Sequence, residues 1–409
     1  MPVDPQNLTL TQTLIVAAIQ SVMVIVFVFI VVPLTIFAER KVLGFVQQRL
    51  GSTRIAGRLV GWTGLTNRFM WWMGKIPVVS YFRGIPGLAG DIFKLFIKED
   101  VRPTKADRLV YLISPAIALV ASFMVYSAVS FYPSKWGPLF TIPRELPFMG
   151  ELPVIGGLPV GGAMADVNVG ILMILGIASV GVYGIVLGAW ASNSKYPLLG
   201  GLRSAAQMVS YEVPLGLSML VPVILAGSLN FGEMTEAVTS GAPIWAVPPL
   251  FIGFFVYMVC GFAEVNRLPF DMPEAENELV AGFHTEYSGM RFGLFYLAEY
   301  INMSVVAALA SAFFFGGHWL MPFGLQGPMG RALEQWAPGL ARGCFGQWLS
   351  APHWYFYVAK IFFFMFVFIW VRGTWPRYRY DQIMAIAWKW LIPLALSNLV
   401  LAGLVRYFC

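Results

Sequence analysis

The sequence predicts an all-α integral membrane protein with about eight transmembrane helices, long cytoplasmic-side loops and interfacial amphipathic helices. Hydrophobic residues make up 58% of the 409 residues and charged residues 12%, which is about half the charged fraction of a soluble domain. The mean hydropathy of +0.71 agrees with this class. Eight apolar stretches are also long enough to cross a bilayer, which takes about 20 helical residues.

The chain is predicted to form a single membrane domain, residues 1–409, without a fixed-period or inverted repeat. The predicted spans are 12–37, 108–131, 168–190, 213–229, 245–263, 292–315, 354–371 and 385–405. The fourth is the weakest because Pro214 and Pro222 interrupt it, although membrane helices tolerate proline where neighbours satisfy the freed carbonyls. The first apolar run is too long for the hydrophobic region of a signal peptide, so we expect no cleavable signal.

Basic residues predict the orientation of these spans. Of the 27 Lys and Arg, 21 lie on one side, in or next to the loops 40–107, 191–212, 264–291 and 372–384. Five lie on the other side, and Lys360 lies within a span. Because positive charge is enriched in cytoplasmic loops, we expect these four loops to face the cytoplasm and both termini to face outward.

The first cytoplasmic loop, 40–107, contains two segments with helical periodicity. Apolar residues of the first recur every three or four positions: Trp62, Leu65, Phe69, Trp72 and Ile76. The second, "GDIFKLFIKED", has a similar pattern. Such helices lie in the membrane interface. Two interpretations stay open, namely simple anchoring at the surface and the walling of a chamber for an amphipathic ligand.

The second notable loop, 264–291, is acidic although it lies between two apolar segments. It holds six of the 21 acidic residues of the chain: Glu264, Asp271, Glu274, Glu276, Glu278 and Glu286. A helix beginning near Glu274 accounts for some of them, because acidic side chains favour the positive end of a helix dipole. Ordinary charge complementarity leaves Glu264, Asp271 and Glu286 unexplained, which favours a functional site.

Further carboxylates lie within spans or at their ends: Glu39, Glu212, Glu264 and Glu299. A charged side chain at such depth is costly, so it normally faces a partner or water. We favour structural pairing with an arginine for Glu39, and a functional role for Glu212 and Glu299.

Metal and nucleotide motifs are missing from the sequence. The three cysteines are far apart, the three histidines have no metal-ligand spacing, and no GxGxxG or Walker pattern opens a helix after a strand. We therefore expect no metal site and no cofactor bound by this chain, with any electron carriers on other subunits. Nothing suggests a nucleic-acid partner.

Three long motifs carry a resemblance to a known family. They are "AERKVLGFVQQRLG", "GAWASNSKYPLLGGLRSAAQMVSYEVPLG" and "AEVNRLPFDMPEAENELVAGFHTEYSGMRFGLFYLAEY". With "DIFKLFIKEDVRP", they closely resemble the membrane subunit that joins the two arms of respiratory complex I, the bacterial counterpart of mitochondrial NADH dehydrogenase subunit 1. The resemblance extends over nearly the whole chain.

The resemblance implies a proton-translocating NADH-quinone oxidoreductase in which this subunit admits the quinone headgroup to a chamber on the cytoplasmic side. Quinone is the substrate, while FMN and the iron–sulfur clusters belong to partner subunits. The implied partners are the hydrophilic-arm subunits, small membrane subunits and lipid. The implied location is a bacterial inner membrane, with an organellar inner membrane as the alternative.

The family also implies roles for residues of this sequence. The chamber residues are Glu39, Arg40, Arg49, Asp91, Arg267, Asp271, Glu274, Glu276 and Glu278. The acids matched to coupling between quinone chemistry and proton translocation are Glu212, Glu264 and Glu299.

Two departures from the family pattern affect the chamber entrance. "LGSTR" follows Arg49 where the family usually reads Gly-Pro-Asn, and about 25 residues near 59–84 look inserted. A homologous subunit of a membrane-bound hydrogenase or formate-linked complex is therefore kept as an alternative, with an independent ion transporter as a third hypothesis. The charges gather at one end of the spans, whereas a transporter places its sites near the midplane.

Overall fold

A computed structural model describes residues 9–49, 51, 91–92, 94–129, 140–141, 145–146, 150–151, 158–161, 167–238, 244–273, 280–320 and 353–408. Within these ranges, eight helices are long and apolar enough to cross a membrane. They are α1 Leu10–Val46, α2 Arg108–Ala128, α3 Gly170–Ala191, α4 Lys195–Ala226, α5 Val247–Glu264, α6 Gly289–Phe313, α7 Trp354–Thr374 and α8 Tyr380–Phe408. The predicted all-α membrane class and the count of eight spans are confirmed.

The helices extend beyond several of the apolar segments. Helix α1 continues to Val46, past the predicted end at residue 37, and α4 begins at Lys195 instead of residue 213. Hydropathy detects only the part of a helix that suits the bilayer interior, whereas the backbone hydrogen bonds continue through polar sequence. The extension places Glu39 inside α1. It also places Gln207 inside α4, five residues before Glu212.

Short elements connect the spans. A single-turn helix, Phe231–Glu236, begins after Asn230, whose side chain accepts hydrogen bonds from two backbone N–H groups. Two small antiparallel pairs lie between α2 and α3. Strand β1 (Phe140–Thr141) pairs with β4 (Pro159–Val160), with Phe140 opposite Val160; β2 (Glu145–Leu146) pairs with β3 (Gly150–Glu151), with Glu145 opposite Glu151. A 3₁₀ turn, Ile244–Ala246, precedes α5, and another, Gly282–His284, precedes α6.

Helix α6 lies at the centre of the bundle. Three tyrosines from three different helices donate to it. The Tyr126 hydroxyl of α2 is 2.6 Å from Ser304 Oγ, Tyr257 of α5 is 3.2 Å from the Val306 carbonyl, and Tyr357 of α7 is 3.1 Å from the Ala308 carbonyl. A buried tyrosine hydroxyl needs such a partner. The contacts hold α6 in one axial position, and α6 carries Glu299 and Tyr300.

Lys360, the basic residue within a span, caps the same central helix. Its ammonium group donates to the carbonyls of Phe315, Gly317 and Trp319, just beyond the end of α6. These carbonyls belong to the turn after α6, so the cation stabilises that turn next to the negative end of the helix dipole.

The predicted interfacial helices are only partly within the described residues. The segment with Trp62, Leu65, Phe69, Trp72 and Ile76 lies outside them. Residues 91–92 and 94–97 are helical, and Phe96 and Ile97 expose 63% and 69% of their surface. Anchoring of this segment in the interface stays a prediction.

Candidate functional site

The candidate site lies at the end of the bundle where α1, α3, α5 and α7 end and α2, α4, α6 and α8 begin. We call this the site end. Hydrogen bonds join its loops: the Tyr111 hydroxyl donates to the Glu286 carbonyl at 2.8 Å, and the Val101 N–H donates to Ser288 Oγ at 3.0 Å. The first and third of the predicted cytoplasmic loops are therefore packed against each other.

Gly289 allows this close packing. Its φ of +55° suits glycine, and a Cβ at this position would lie 3.2 Å from the Lys98 carbonyl. An ion pair of 3.1 Å between Arg291 and Asp100 and the stacking of Tyr111 on Tyr287 at 4.2 Å add to the contact. Burial raises the pKa of Tyr287 to about 12, so this tyrosine stays a neutral packing residue at physiological pH.

Arg267 is the centre of a buried ion network at the site end. It lies in the turn after α5, is 6% exposed, and pairs with Glu299 of α6. Its Nη1 is also 3.8 Å from Glu39 Oε1 of α1. The guanidinium packs over the ring of Tyr300, 4.5 Å from its centroid. Burial is the largest single influence on the pKa of Arg267 and would lower it, but Glu299, Tyr300, Glu39 and Tyr296 together outweigh burial and hold this pKa above the ordinary value.

Glu39 has two further partners in this network. One of its oxygens pairs with Arg372 of α7, and the other accepts a hydrogen bond of 2.5 Å from the Tyr300 hydroxyl. Four helices or their flanking turns thus meet through side chains of opposite charge. Burial of such charges is tolerated only when each has a close partner, and the network meets this condition for Glu39.

Asp271 forms a second buried pair nearby. It is 6% exposed, and its Oδ2 lies 2.8 Å from Nη2 of Arg377, in the connection between α7 and α8. The other predicted chamber residues lie nearer the surface. Arg40 and Asp91 pair with each other at 2.7 Å with nearly half of each side chain exposed, and Arg49 is exposed at the turn after α1. Glu274, Glu276 and Glu278 lie outside the described residues.

Two partly open cavities connect the predicted coupling acids. The first has an internal volume of about 50 Å³ and is lined by Glu264, Glu299, His284 and Asn302 among others. The second also has an internal volume of about 50 Å³ and is lined by Glu212, Glu264, Asn302 and largely apolar side chains. Glu264 and Asn302 thus line both cavities. The three acids therefore line two neighbouring cavities near the site end of the bundle.

The three acids differ in their hydrogen bonding. Glu212 accepts a hydrogen bond from Ser179 of α3, and Glu299 pairs with Arg267. Oε2 of Glu264 is buried and has no hydrogen-bond partner within the part of the chain that the structure describes. A buried carboxylate oxygen without a fixed partner is suited to exchanging a proton through the cavities on either side of it.

Several site residues were not predicted from the sequence. In the sequence Arg372 and Arg377 contribute only to the excess of basic residues on one side, because their acidic partners lie 333 and 106 positions away along the chain. Tyr300 and Asn302 looked like ordinary polar residues of a span. The position of Asn302 relative to Glu299 was a usable signal, since residues three apart share a helix face.

Among the described residues, no group of three or more His, Cys, Asp and Glu side chains is arranged to hold a metal ion. The arrangement instead combines buried carboxylates, arginines that balance their charge, and cavities that join them. Such a set can hold, release and move protons, and it responds to charge that develops nearby.

Comparison with known proteins gives consistent matches. The family model described as NADH dehydrogenase matches residues 19–403. The chain is 38% identical over 387 residues to an NADH-quinone oxidoreductase H-type subunit of Geobacter metallireducens, covering 95% of this chain and 94% of the relative. It is 40% identical over 371 residues to NADH-quinone oxidoreductase subunit 8 of Rhodothermus marinus, covering 90% and 91% respectively. The corresponding H-type protein of Paramagnetospirillum magneticum is 38% identical over 392 residues, with 96% and 92% covered.

Proposed function

Because the chain belongs to the NADH dehydrogenase family, we propose that it is the quinone-chamber membrane subunit of a proton-translocating NADH-quinone oxidoreductase. Its role is to couple quinone reduction to proton translocation. The observation that carries this proposal is the position of Glu264, which lines both the cavity next to the Arg267 network and the cavity next to Glu212.

The chemistry determines what this chain has to supply. NADH gives up two electrons and a proton, and quinone takes up two electrons and two protons to become quinol. The electrons arrive from FMN and iron–sulfur clusters on partner subunits. This chain's own residues supply a chamber wall, protons, and a response to the negative charge that reduction creates.

The chamber residues divide into two groups by burial. The exposed pair Arg40–Asp91 and the exposed Arg49 form the outer rim toward lipid and partner subunits, and the buried Asp271 lies deeper. Glu274, Glu276 and Glu278 follow Asp271 in the same acidic loop of the sequence. When a carboxylate of this loop gives a proton to reduced quinone, its new negative charge attracts the Arg267 guanidinium. That attraction weakens the pairing of Arg267 with Glu299 and Glu39.

The coupling step then runs along the cavities. Glu299, with less compensation from Arg267, binds a proton more readily, and Glu264 is the next carboxyl group along the first cavity. Glu264 exchanges its proton with Glu212 through the second cavity, aided by the polar side chain of Asn302. Charge thus moves from the quinone chamber into the membrane interior, toward neighbouring membrane subunits. The chain is a multi-pass membrane protein, and we place it in a bacterial inner membrane.

Purification of the intact complex through a tag on this chain tests the proposed function. We expect iron–sulfur subunits to co-purify and the preparation to reduce a short-chain quinone with NADH. A photoreactive quinone should label peptides that contain Glu39, Arg49 or Asp271, and an excess of unlabelled quinone should suppress that labelling.

Two results would contradict the proposal. A complex that oxidises hydrogen or formate and leaves quinone unreduced would assign the chain to the related hydrogenase or formate-linked complexes. A chain that purifies alone and carries ions in proteoliposomes would support a transporter.

Orientation gives a separate prediction. In a variant lacking the native Cys344 and Cys409, Ser288→Cys should resist a membrane-impermeant maleimide in intact cells and react once the cells are opened. Thr9→Cys, at the exposed start of α1, is the matched control and should react in intact cells. The expectation follows from the 21-to-5 distribution of Lys and Arg. The reverse pattern, with only Ser288→Cys reacting from outside, would invert the assigned orientation.

A further inference from the structure

Gln207 of α4 holds the turn that carries two of the site residues. It is fully buried, and its Nε2 lies 2.8 Å from the Ala263 carbonyl and 2.7 Å from the Phe270 carbonyl. A side-chain amide has two N–H hydrogens, and the two carbonyls are its closest acceptors. The side chain therefore bridges the last turn of α5 and the residue that closes the following turn.

Asn266 adds a second contact between the turn and α4. Its Oδ1 is 3.2 Å from Gln207 Nε2, and its Nδ2 is 3.4 Å from Ser204 Oγ. Ser204 and Gln207 are three residues apart and share one face of α4. Asn266 has a φ of +55°, a conformation that asparagine tolerates better than most residues. The turn is thus held at two points by one helix.

The bridged turn contains Glu264 and Arg267, and Asp271 follows it directly. The helix that bridges the turn also carries Glu212, five residues after Gln207. A helix is stiff over such a length, and the next proline of this helix, Pro214, comes only after Glu212. The Gln207 amide therefore sets where Glu264 stands relative to Glu212 across the second cavity, and where Arg267 stands relative to Glu299.

We propose that Gln207 is a positioning residue for proton transfer, holding Glu264 and Arg267 in register with Glu212. This role rests on the proposed function, since it concerns the same route. Gln207 itself exchanges no proton; it acts through the turn that it bridges.

The hydrogen bonds of the turn indicate that the chain still folds when this amide is removed. The Ala263 carbonyl also accepts the N–H of Asn266 at 3.2 Å, and the Phe270 carbonyl accepts the N–H of Met272 at 3.1 Å. Each carbonyl therefore keeps one donor when the amide is absent. What is lost is the link between the turn and α4, which affects position more than folding.

Gln207→Met in the complete complex tests the role, because methionine keeps the length of the side chain and removes the donor. We expect kcat for quinone reduction to fall about tenfold while KM stays within about twofold, since proton transfer is impaired and headgroup binding is not. Proton translocation should fall in parallel. Subunit content and reduction of the iron–sulfur centres by NADH should match the wild type.

Gln20→Met is the matched control. Gln20 is a buried glutamine whose Nε2 donates to the Gly161 carbonyl at 3.0 Å, and it lies about 28 Å along α1 from Glu39. This variant should keep wild-type kcat. Asn266→Gly, which keeps the left-handed backbone and removes the side-chain contacts, should lower kcat in the same direction by about threefold.

The outcomes separate this role from the proposed function. An active wild-type complex with an equally active Gln207→Met variant would remove the positioning role alone. If neither Gln207→Met nor Asn266→Gly assembles into the complex, the positioning role is overturned in favour of a purely structural one. An equal loss of kcat in Gln20→Met would have the same meaning. A wild-type complex that does not reduce quinone would remove the proposed function and this role together.

Discussion

Replacing Glu264 by Gln is expected to lower quinone reduction and proton translocation together, by about a hundredfold, which is typical for loss of a proton-transferring group. Glutamine keeps the size of the side chain and much of its hydrogen bonding but has no ionisable proton. Glu264 is the carboxylate common to the two cavities, so its loss interrupts the step that joins Glu299 to Glu212 in the proposed route. Tight coupling then prevents either activity from proceeding alone.

The measurement requires purified complexes with full subunit content and iron–sulfur centres that NADH still reduces. Glu233→Gln is the matched control, because Glu233 is a glutamate at the opposite end of the bundle, where its carboxylate accepts from Ser228 Oγ at 2.9 Å. Glu299→Gln should impair both activities in the same way and more mildly. Wild-type rates in Glu264→Gln and Glu299→Gln would dismiss the proton route, and failure to assemble would indicate a structural role.

The span count was predictable because hydropathy is a property of sequence segments. The ends of the helices were less predictable. Helix α1 continues through Glu39 and Arg40, and α4 begins at Lys195 within polar sequence. Both segments carry charged side chains, such as Glu39 in α1 and Lys195 in α4. There, backbone hydrogen bonding decides the helix length and side-chain hydropathy does not.

The acids of the candidate site were predictable for a different reason. In a chain with only 21 acidic residues, each carboxylate near a span can be considered individually. Their partners were not predictable, because Arg372, which pairs with Glu39, lies 333 positions away along the chain. Gln207 was missed as well, since a neutral amide in a helix carries no signal until the turn it bridges is seen in three dimensions.

Arg267→Gln is expected to destabilise the complex strongly, because it leaves buried carboxylates without their cation. Breaking a buried ion pair by removing one partner costs about 3–5 kcal/mol. Glu299 loses its pair with Arg267, whereas Glu39 keeps Arg372 and Tyr300. We therefore expect less assembled complex in the membrane and a lower unfolding temperature, and quinone reduction per assembled complex should fall more than about tenfold.

The double variant Arg267→Gln with Glu299→Gln separates stability from catalysis. Neutralising both members of the pair removes the uncompensated charge, so the amount of assembled complex and the unfolding temperature should recover most of the loss. Quinone reduction and proton translocation should stay low, because the charge-responsive link between the acidic loop and Glu264 is still absent. Recovery of activity together with assembly would show that the pair only stabilises the fold. An Arg267→Gln variant with wild-type assembly and wild-type turnover would contradict both the structural role and the coupling role of the network. The buried guanidinium between Glu39 and Glu299 would then contribute neither to stability nor to coupling.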